Sequence, residues 1–116
     1  MDTNAKEAFI RDKASQNQHS VTGAHILWSR HAITELVADD LDRKQIERTL
    51  QTCEVIEDYP TLRRPFPDCL VLGWLAPNKP VHAVVAVDVE RDRLLIITVY
   101  VPDDREWEND YRTRKQ

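Results

Sequence analysis

Residues 79–101 read KPVHAVVAVDVERDRLLIITVYV, and the way this stretch pairs with itself decides the fold. Two runs rich in β-branched residues, 81–89 and 94–101, flank the charged segment ERDR at 90–93, as two antiparallel strands and their connection would. Side chains alternate across a strand. In the first run Val81, Ala83, Val85 and Val87 point one way and His82, Val84, Ala86 and Asp88 the other. In the second, Leu95, Ile97, Val99 and Val101 alternate with Leu94, Ile96, Thr98 and Tyr100. Loop parity settles which sets share a face, because a one-residue slip turns every side chain over. A three- or five-residue connection sets His82 opposite Tyr100 and Val84 opposite Thr98, and gathers the first-named aliphatics of both runs on one apolar face. An even connection strands His82 among aliphatics, which is costly in a core. The odd parity is therefore expected, with His82, Thr98 and Tyr100 lining the outer, concave side of a sheet whose other side meets helices.

Working outward, CLVLGWL at 69–75 is continuously apolar, as a central strand would be, and APNKP turns the chain towards the hairpin. EVIEDY at 54–59 alternates and is closed by Pro60; TLRRPFPD follows as a proline-stiffened loop. On the N-terminal side AHILW begins an ordered region at Ala24. Ser29 suits the N-cap of a helix carrying the stripe Ile33, Leu36 and Val37, with Trp28 stapled onto Ile33. Asp42 and Gln45 resemble a capping box for a second helix, which aligns Ile46, Leu50 and Cys53 on one face. Asp103 and Glu106 predict a short C-terminal helix through about Tyr111. The expected fold is α+β in two layers: N-terminal helices packed on a four-stranded antiparallel sheet, with a short C-terminal helix. Residues 1–23 are expected as a flexible arm, with room for a short helix around Ala8, Phe9 and Ile10, and 24–116 as the domain.

Composition bounds the function. At 116 residues the chain holds one core, with 41% apolar and 31% charged residues. Only two cysteines occur, Cys53 and Cys69, with no close pair and no short Cys/His spacing, so neither a disulfide framework nor a zinc ribbon is expected and a reducing cytoplasm is the expected compartment. No h-region opens the chain and no stretch has the length of a membrane span, so neither secretion nor membrane insertion is expected. The net charge of −4 disfavours a broad nucleic-acid surface, although Arg63–Arg64, Arg91–Arg93 and Arg112–Lys115 are local basic clusters. At a helical hundred degrees per residue, His31 points away from the Ile33, Leu36 and Val37 stripe, which leaves a surface role or a chemical one.

WSRHA (28–32), DYP (58–60), CLVLGW (69–74), KPVHAVVAVD (79–88), IITVYVPD (96–103) and WENDYRTRK (107–115) occur in order. Together they resemble domain-of-unknown-function family 4258, over nearly everything from Ala24 onward. That family is usually grouped with the RelE/ParE-like toxins, and its members often neighbour a zinc-finger antitoxin of the MqsA type. The resemblance implies the toxin component of a bacterial type II toxin–antitoxin pair, with mRNA cleavage as its activity and an antitoxin, RNA or ribosome as partner. The family's recurrent polar residues match His31, Asp58, Tyr59, His82, Thr98, Tyr100 and Trp107. Asp39-Asp40-Leu41 stands where the family commonly has arginine then glycine, and the acidity also departs from typical RelE-like ribonucleases.

Metal-independent RNA cleavage needs a base for the 2′-hydroxyl, an acid for the leaving 5′-oxygen and a cation for the phosphate. His31 and His82 are the expected acid–base pair, because imidazole titrates near neutral pH. Tyr100 is expected to donate a hydrogen bond or proton, with Thr98 orienting it. Arg30, Arg63 and Arg64 are expected to face phosphate, with Asp58 and Tyr59 also at the substrate. No cofactor is expected, and a metal site from His25, His31, His82 and Cys69 matches no established ligand spacing. The rival readings are a non-enzymatic module that binds an antitoxin, and a ParE-like toxin that targets gyrase by protein contact.

Overall fold

The computed structural model describes residues 1–59 and 66–116. In chain order it contains α1 (Thr3–Gln18), β1 (Ile26–Trp28), α2 (Arg30–Ala38), α3 (Arg43–Thr49), a 3₁₀ turn (Leu50–Thr52), β2 (Glu54–Tyr59), β3 (Asp68–Ala76), β4 (Lys79–Asp88) and β5 (Arg93–Tyr100). The α+β class stands, but the sheet is five-stranded and mixed, in the order β1-β5-β4-β3-β2. The added strand comes from AHILW: Ile26, Leu27 and Trp28 pair in parallel with Leu94, Leu95 and Ile96. Three residues are too few for alternation to distinguish a strand from an extended connector. None of the described helices is long and apolar enough to cross a membrane.

β4 and β5 reach the expected register by an unexpected route. His82 faces Tyr100 and Val84 faces Thr98. The connecting turn, however, runs over 89–92, an even number, with Asp92 in the left-handed region at φ 56° and its N–H donating to the Val89 carbonyl at 3.2 Å. Parity is restored inside the strand, where pairing jumps from Val84–Thr98 to Val85–Ile96 and leaves Ile97 as a bulge. As a result Leu94, Ile96 and Val99 face the helices, joining Val81, Ala83, Val85 and Val87. Ile97, expected on that apolar face, packs on the opposite side, and Leu95 pairs with Ala86 on the face of His82.

The helices cover one face. Ile10 and Ala14 of α1, Ala32 and Leu36 of α2, and Ile46 of α3 join Leu50, Cys53, Cys69 and Val71 in a single buried cluster. The expected stripe of α2 is rotated: Ala32 and Leu36 are buried, whereas Ile33 and Val37 are 36% and 75% exposed. Ser29 caps α2, accepting from the Ala32 N–H at 3.0 Å, whereas the Asp42 side chain makes no capping bond to α3.

Residues 3–18, expected within a loose arm, form a helix that adds polar contacts to the burial of Ile10 and Ala14. The buried Lys6 pairs with Asp58 and donates to the Asp68 carbonyl at 3.0 Å; Lys13, also buried, meets Asp92 at 2.5 Å. Glu7 accepts from the Val55 N–H at 2.9 Å, and Arg11 donates to the Cys53 carbonyl at 2.8 Å. Weak apolar periodicity hid the length of this helix, because much of its docking comes from charge pairs and backbone contacts with residues far along the chain.

The C-terminal helix is absent. Asp103 accepts from the N–H of Arg105 at 2.8 Å, two residues on, and so closes a turn rather than capping a helix. Beyond it Trp107 bridges to Arg114; Glu108 N–H donates to the Thr113 carbonyl at 2.8 Å, and Lys115 N–H to the Glu106 carbonyl at 2.9 Å. This tight hairpin, with Tyr111 left-handed at φ 57°, buries Trp107 against the outer face of the sheet beside Leu70 and Val84. Burial of a large indole outweighs the helix propensity of a few residues.

Gly73 marks the closest approach of α3 to the sheet. A Cβ there would stand 2.0 Å from the Thr49 Cγ2. Gly73→Ala should cost about 1–3 kcal/mol in urea unfolding, and Thr49→Ser, which removes that methyl, should recover most of the loss in the double variant.

Candidate functional site

β1 pairs with β5 only as far as Ile96, so the next residues of β5 present open backbone groups at a sheet edge. The start of α2 closes that edge. Ser29 N–H donates to the Ile96 carbonyl at 2.9 Å and its hydroxyl donates to the Ile97 carbonyl at 2.8 Å. Glu35, six residues further, accepts from the Val99 N–H at 3.0 Å and from the Thr98 hydroxyl through a single oxygen, Oε1. His31 lies at i−4 from Glu35 on the same helix flank, with its Nε2 at 3.3 Å from that oxygen. The His31 side chain is 69% exposed. A carboxylate anchored to β5 thus stands beside an imidazole that remains open to solvent.

A second polar cluster lies on the outer face. His82 is fully buried in the centre of β4. Its Nε2 is 2.7 Å from the Tyr111 carbonyl and its Nδ1 3.1 Å from the Tyr100 hydroxyl. A carbonyl can only accept, so Nε2 carries the proton, and in the neutral ring Nδ1 accepts from Tyr100. The Trp107 ring meets the imidazole edge-on at 4.4 Å between centroids. Burial holds the His82 pKa below its ordinary value, against the opposing pull of the Tyr111 carbonyl. Burial likewise raises the Tyr100 phenol, against the opposing pull of the Arg114 guanidinium.

The hairpin over His82 is clamped to β2. Arg112 holds Glu54 through two bonds of 3.0 and 2.8 Å, and Arg114 holds Glu57 at 2.6 and 3.1 Å while stacking over Trp107 at 4.6 Å. The Arg114 guanidinium draws the Glu57 carboxyl below its usual range. The outer side of the sheet, expected as an open groove, is therefore closed above His82.

The other expected site residues divide. Arg30 is exposed at the start of α2 beside His31. Asp58 is paired with the buried Lys6 of α1, whereas the Tyr59 hydroxyl donates to Glu57 at 2.8 Å and its pKa is pushed up to about 12, chiefly by burial. Arg63 and Arg64 lie outside the described residues. His31, Thr98 and Glu35 come together; His82 and Tyr100 come together; Asp58 joins neither. Cys69 packs in the core under the helices, with its thiol pushed up to about 12 by burial, while His82 lies on the other face and His25 contacts the Asp92 carbonyl. Among the described residues no group of three His, Cys, Asp or Glu side chains is placed to hold a metal ion. Glu35 was missed from sequence, although its i,i+4 spacing from His31 was there to be read.

A family model described as Domain of unknown function (DUF4258) matches residues 28–101, which hold β1's last residue, α2, α3 and β2 to β5. No curated protein and no solved structure matches the chain significantly.

The neutral, buried state of His82 makes stability depend on pH. Its folded pKa lies below the ordinary value near 6.5, so this contribution is complete above that value and is lost as pH falls through it towards the folded pKa. The urea midpoint should drop from about pH 7.5 to about pH 5.5. His82→Gln should cost about 1–3 kcal/mol at the higher pH and flatten the slope over that interval. An equal slope in both proteins would place the titrating group elsewhere.

Proposed function

Taking as premise that the chain belongs to the DUF4258 family, we propose that it is the toxin half of a bacterial type II toxin–antitoxin pair, of RelE/ParE-like fold, and that it cleaves mRNA without a metal ion. The observation that carries this reading is the exposed imidazole of His31 held by Glu35 at the edge of β5, with Thr98 bonded to the same carboxylate and Tyr100 two residues further along the strand. Its Nε2 is turned to Glu35, so the lone pair on Nδ1 is free to take the proton of a ribose 2′-hydroxyl. The 2′-oxygen then attacks phosphorus and the 5′-oxygen leaves, with a cyclic phosphate as product. Arg30, on the adjoining turn, faces the phosphate charge. The Tyr100 hydroxyl gives its own proton to His82 and can only accept a further hydrogen bond, so the leaving oxygen takes its proton from water. His82 is too deeply buried to touch RNA and acts as a positioning residue behind Tyr100. A cognate antitoxin, of the MqsA-like zinc-finger type in this reading, would cover the same edge.

A second reading is a module that works by protein contact alone, against an antitoxin or a gyrase-like target. Leu27, Ile33 and Val37 favour it, being 39%, 36% and 75% exposed on and beside α2 in a chain of net charge −4.

Purified protein incubated with RNA in chelator, with and without ribosomes, distinguishes the two. Cleavage should fall about 10²–10⁴-fold in His31→Ala. It should fall less in Glu35→Gln, which keeps a polar group of the same size beside the imidazole. Growth arrest on expression should fall in parallel. Growth arrest with intact RNA, undiminished in His31→Ala, would overturn the nuclease reading in favour of the contact reading.

A further inference from the structure

A groove away from His31 combines two chemistries. One end is a cleft of about 390 Å³, within the range of small-ligand pockets, lined by Arg43, Lys44 and Arg48 of α3 and by Ser20 and Thr22 of the loop after α1. Lys44 and Arg48 are i,i+4 neighbours on α3, and Arg43 borders the same cleft. The cleft runs into a second, lined by Ile26, Leu27, Trp28 and Ile33; Thr22, Gly23, Arg43 and Glu47 border both.

The acidic floor of the groove is already occupied. Glu47 is buried, with Oε2 accepting from the Trp28 indole at 2.8 Å and lying 3.7 Å from Arg43, while Oε1 meets the Asn17 amide at 3.4 Å. Arg43 is thereby partly compensated. Lys44 and Arg48 have no side-chain hydrogen bond or ion pair among the described residues, and both are exposed at the cleft. Two uncompensated cations converging on a cleft in an acidic protein concentrate positive potential there. The neighbouring end offers Leu27 and Ile33, more than a third exposed, as a platform for a flat apolar ring.

We propose that this groove binds a nucleotide, with its phosphate against Lys44 and Arg48 and its base against Leu27 and Ile33. A phosphate joined to a planar ring matches both ends at once, whereas an inorganic anion leaves the apolar end uncovered and a nucleoside leaves the cations unpaired. His31 does not line the groove, so this site stands or falls separately from RNA cleavage.

The Trp28 indole N–H, bonded to Glu47 at the junction of the two clefts, is the reporter. In the ¹⁵N-labelled full chain, adenosine 5′-monophosphate should move this resonance saturably at about millimolar concentration or below. Adenosine and inorganic phosphate, each alone, should bind at least about tenfold more weakly. Lys44→Gln with Arg48→Gln, both at exposed positions, should weaken the monophosphate about tenfold and leave adenosine unchanged; Ile33→Ser should weaken both. Added salt should weaken the monophosphate only. No movement up to about 10 mM monophosphate, equal binding of phosphate alone, or an unchanged affinity in the double variant would overturn the proposal. A 5′-phosphorylated RNA trinucleotide that moves the resonance where the monophosphate does not would assign the groove to a strand backbone and overturn it as well.

Discussion

The pairing of β4 with β5 is the constraint on which the rest depends. Val81, Ala83, Val85 and Val87 can be buried under the helices only if β5 presents apolar groups beside them, and a four-residue turn would set the wrong parity all along the hairpin. The bulge at Ile97 resolves the conflict locally. Before it, Leu94 and Ile96 face the core; after it, Val99 does, and Thr98 and Tyr100 are delivered opposite Val84 and His82. One unpaired residue therefore both completes the core and places the polar side chains of the candidate site. Beside it β1 ends at the start of α2, and Ser29 and Glu35 close the edge of β5 left open there.

The open backbone of β5 beyond β1, and that of β2, is met by helix side chains. At β5 the work falls to Ser29 and Glu35; at β2 the Val55 N–H and the Cys53 carbonyl are taken by Glu7 and Arg11 of α1. Unpaired edge groups invite pairing with another chain, and long polar side chains remove that opportunity without lengthening the sheet. At the β5 edge the same device has chemical content, because the carboxylate that satisfies the backbone also stands beside an exposed imidazole. The two histidines first grouped as an acid–base pair thus part company. His31 is accessible and held by a charge, while His82 is enclosed, neutral and hydrogen-bonded at both nitrogens.

The C-terminal hairpin determines that difference. Without it, His82 and Tyr100 would lie on an open sheet face; with it, Trp107 and the Tyr111 carbonyl enclose the imidazole. The clamp is electrostatic at its rim, where Arg112 and Arg114 hold Glu54 and Glu57, and apolar at its centre. Exposed ion pairs are weak individually. Burial of Trp107 therefore supplies the main attraction, and the arginines fix how the hairpin lies.

What the sequence determined by itself was local or periodic: the β-branched hairpin and the pairing of His82 with Tyr100, the capping of α2 by Ser29, the burial of Cys53, the α+β class. Each follows from side-chain alternation, helical spacing or a cap within a few residues. Tertiary structure alone decided the rest. A three-residue parallel strand, a bulge that inverts face parity, a helix seated by Lys6 and Lys13, and a hairpin where a helix was expected all rest on partners far along the chain, with Lys6 meeting Asp58 and Arg114 meeting Glu57. Such contacts leave no period in the sequence, because their energy comes from groups that become neighbours only after the chain has folded.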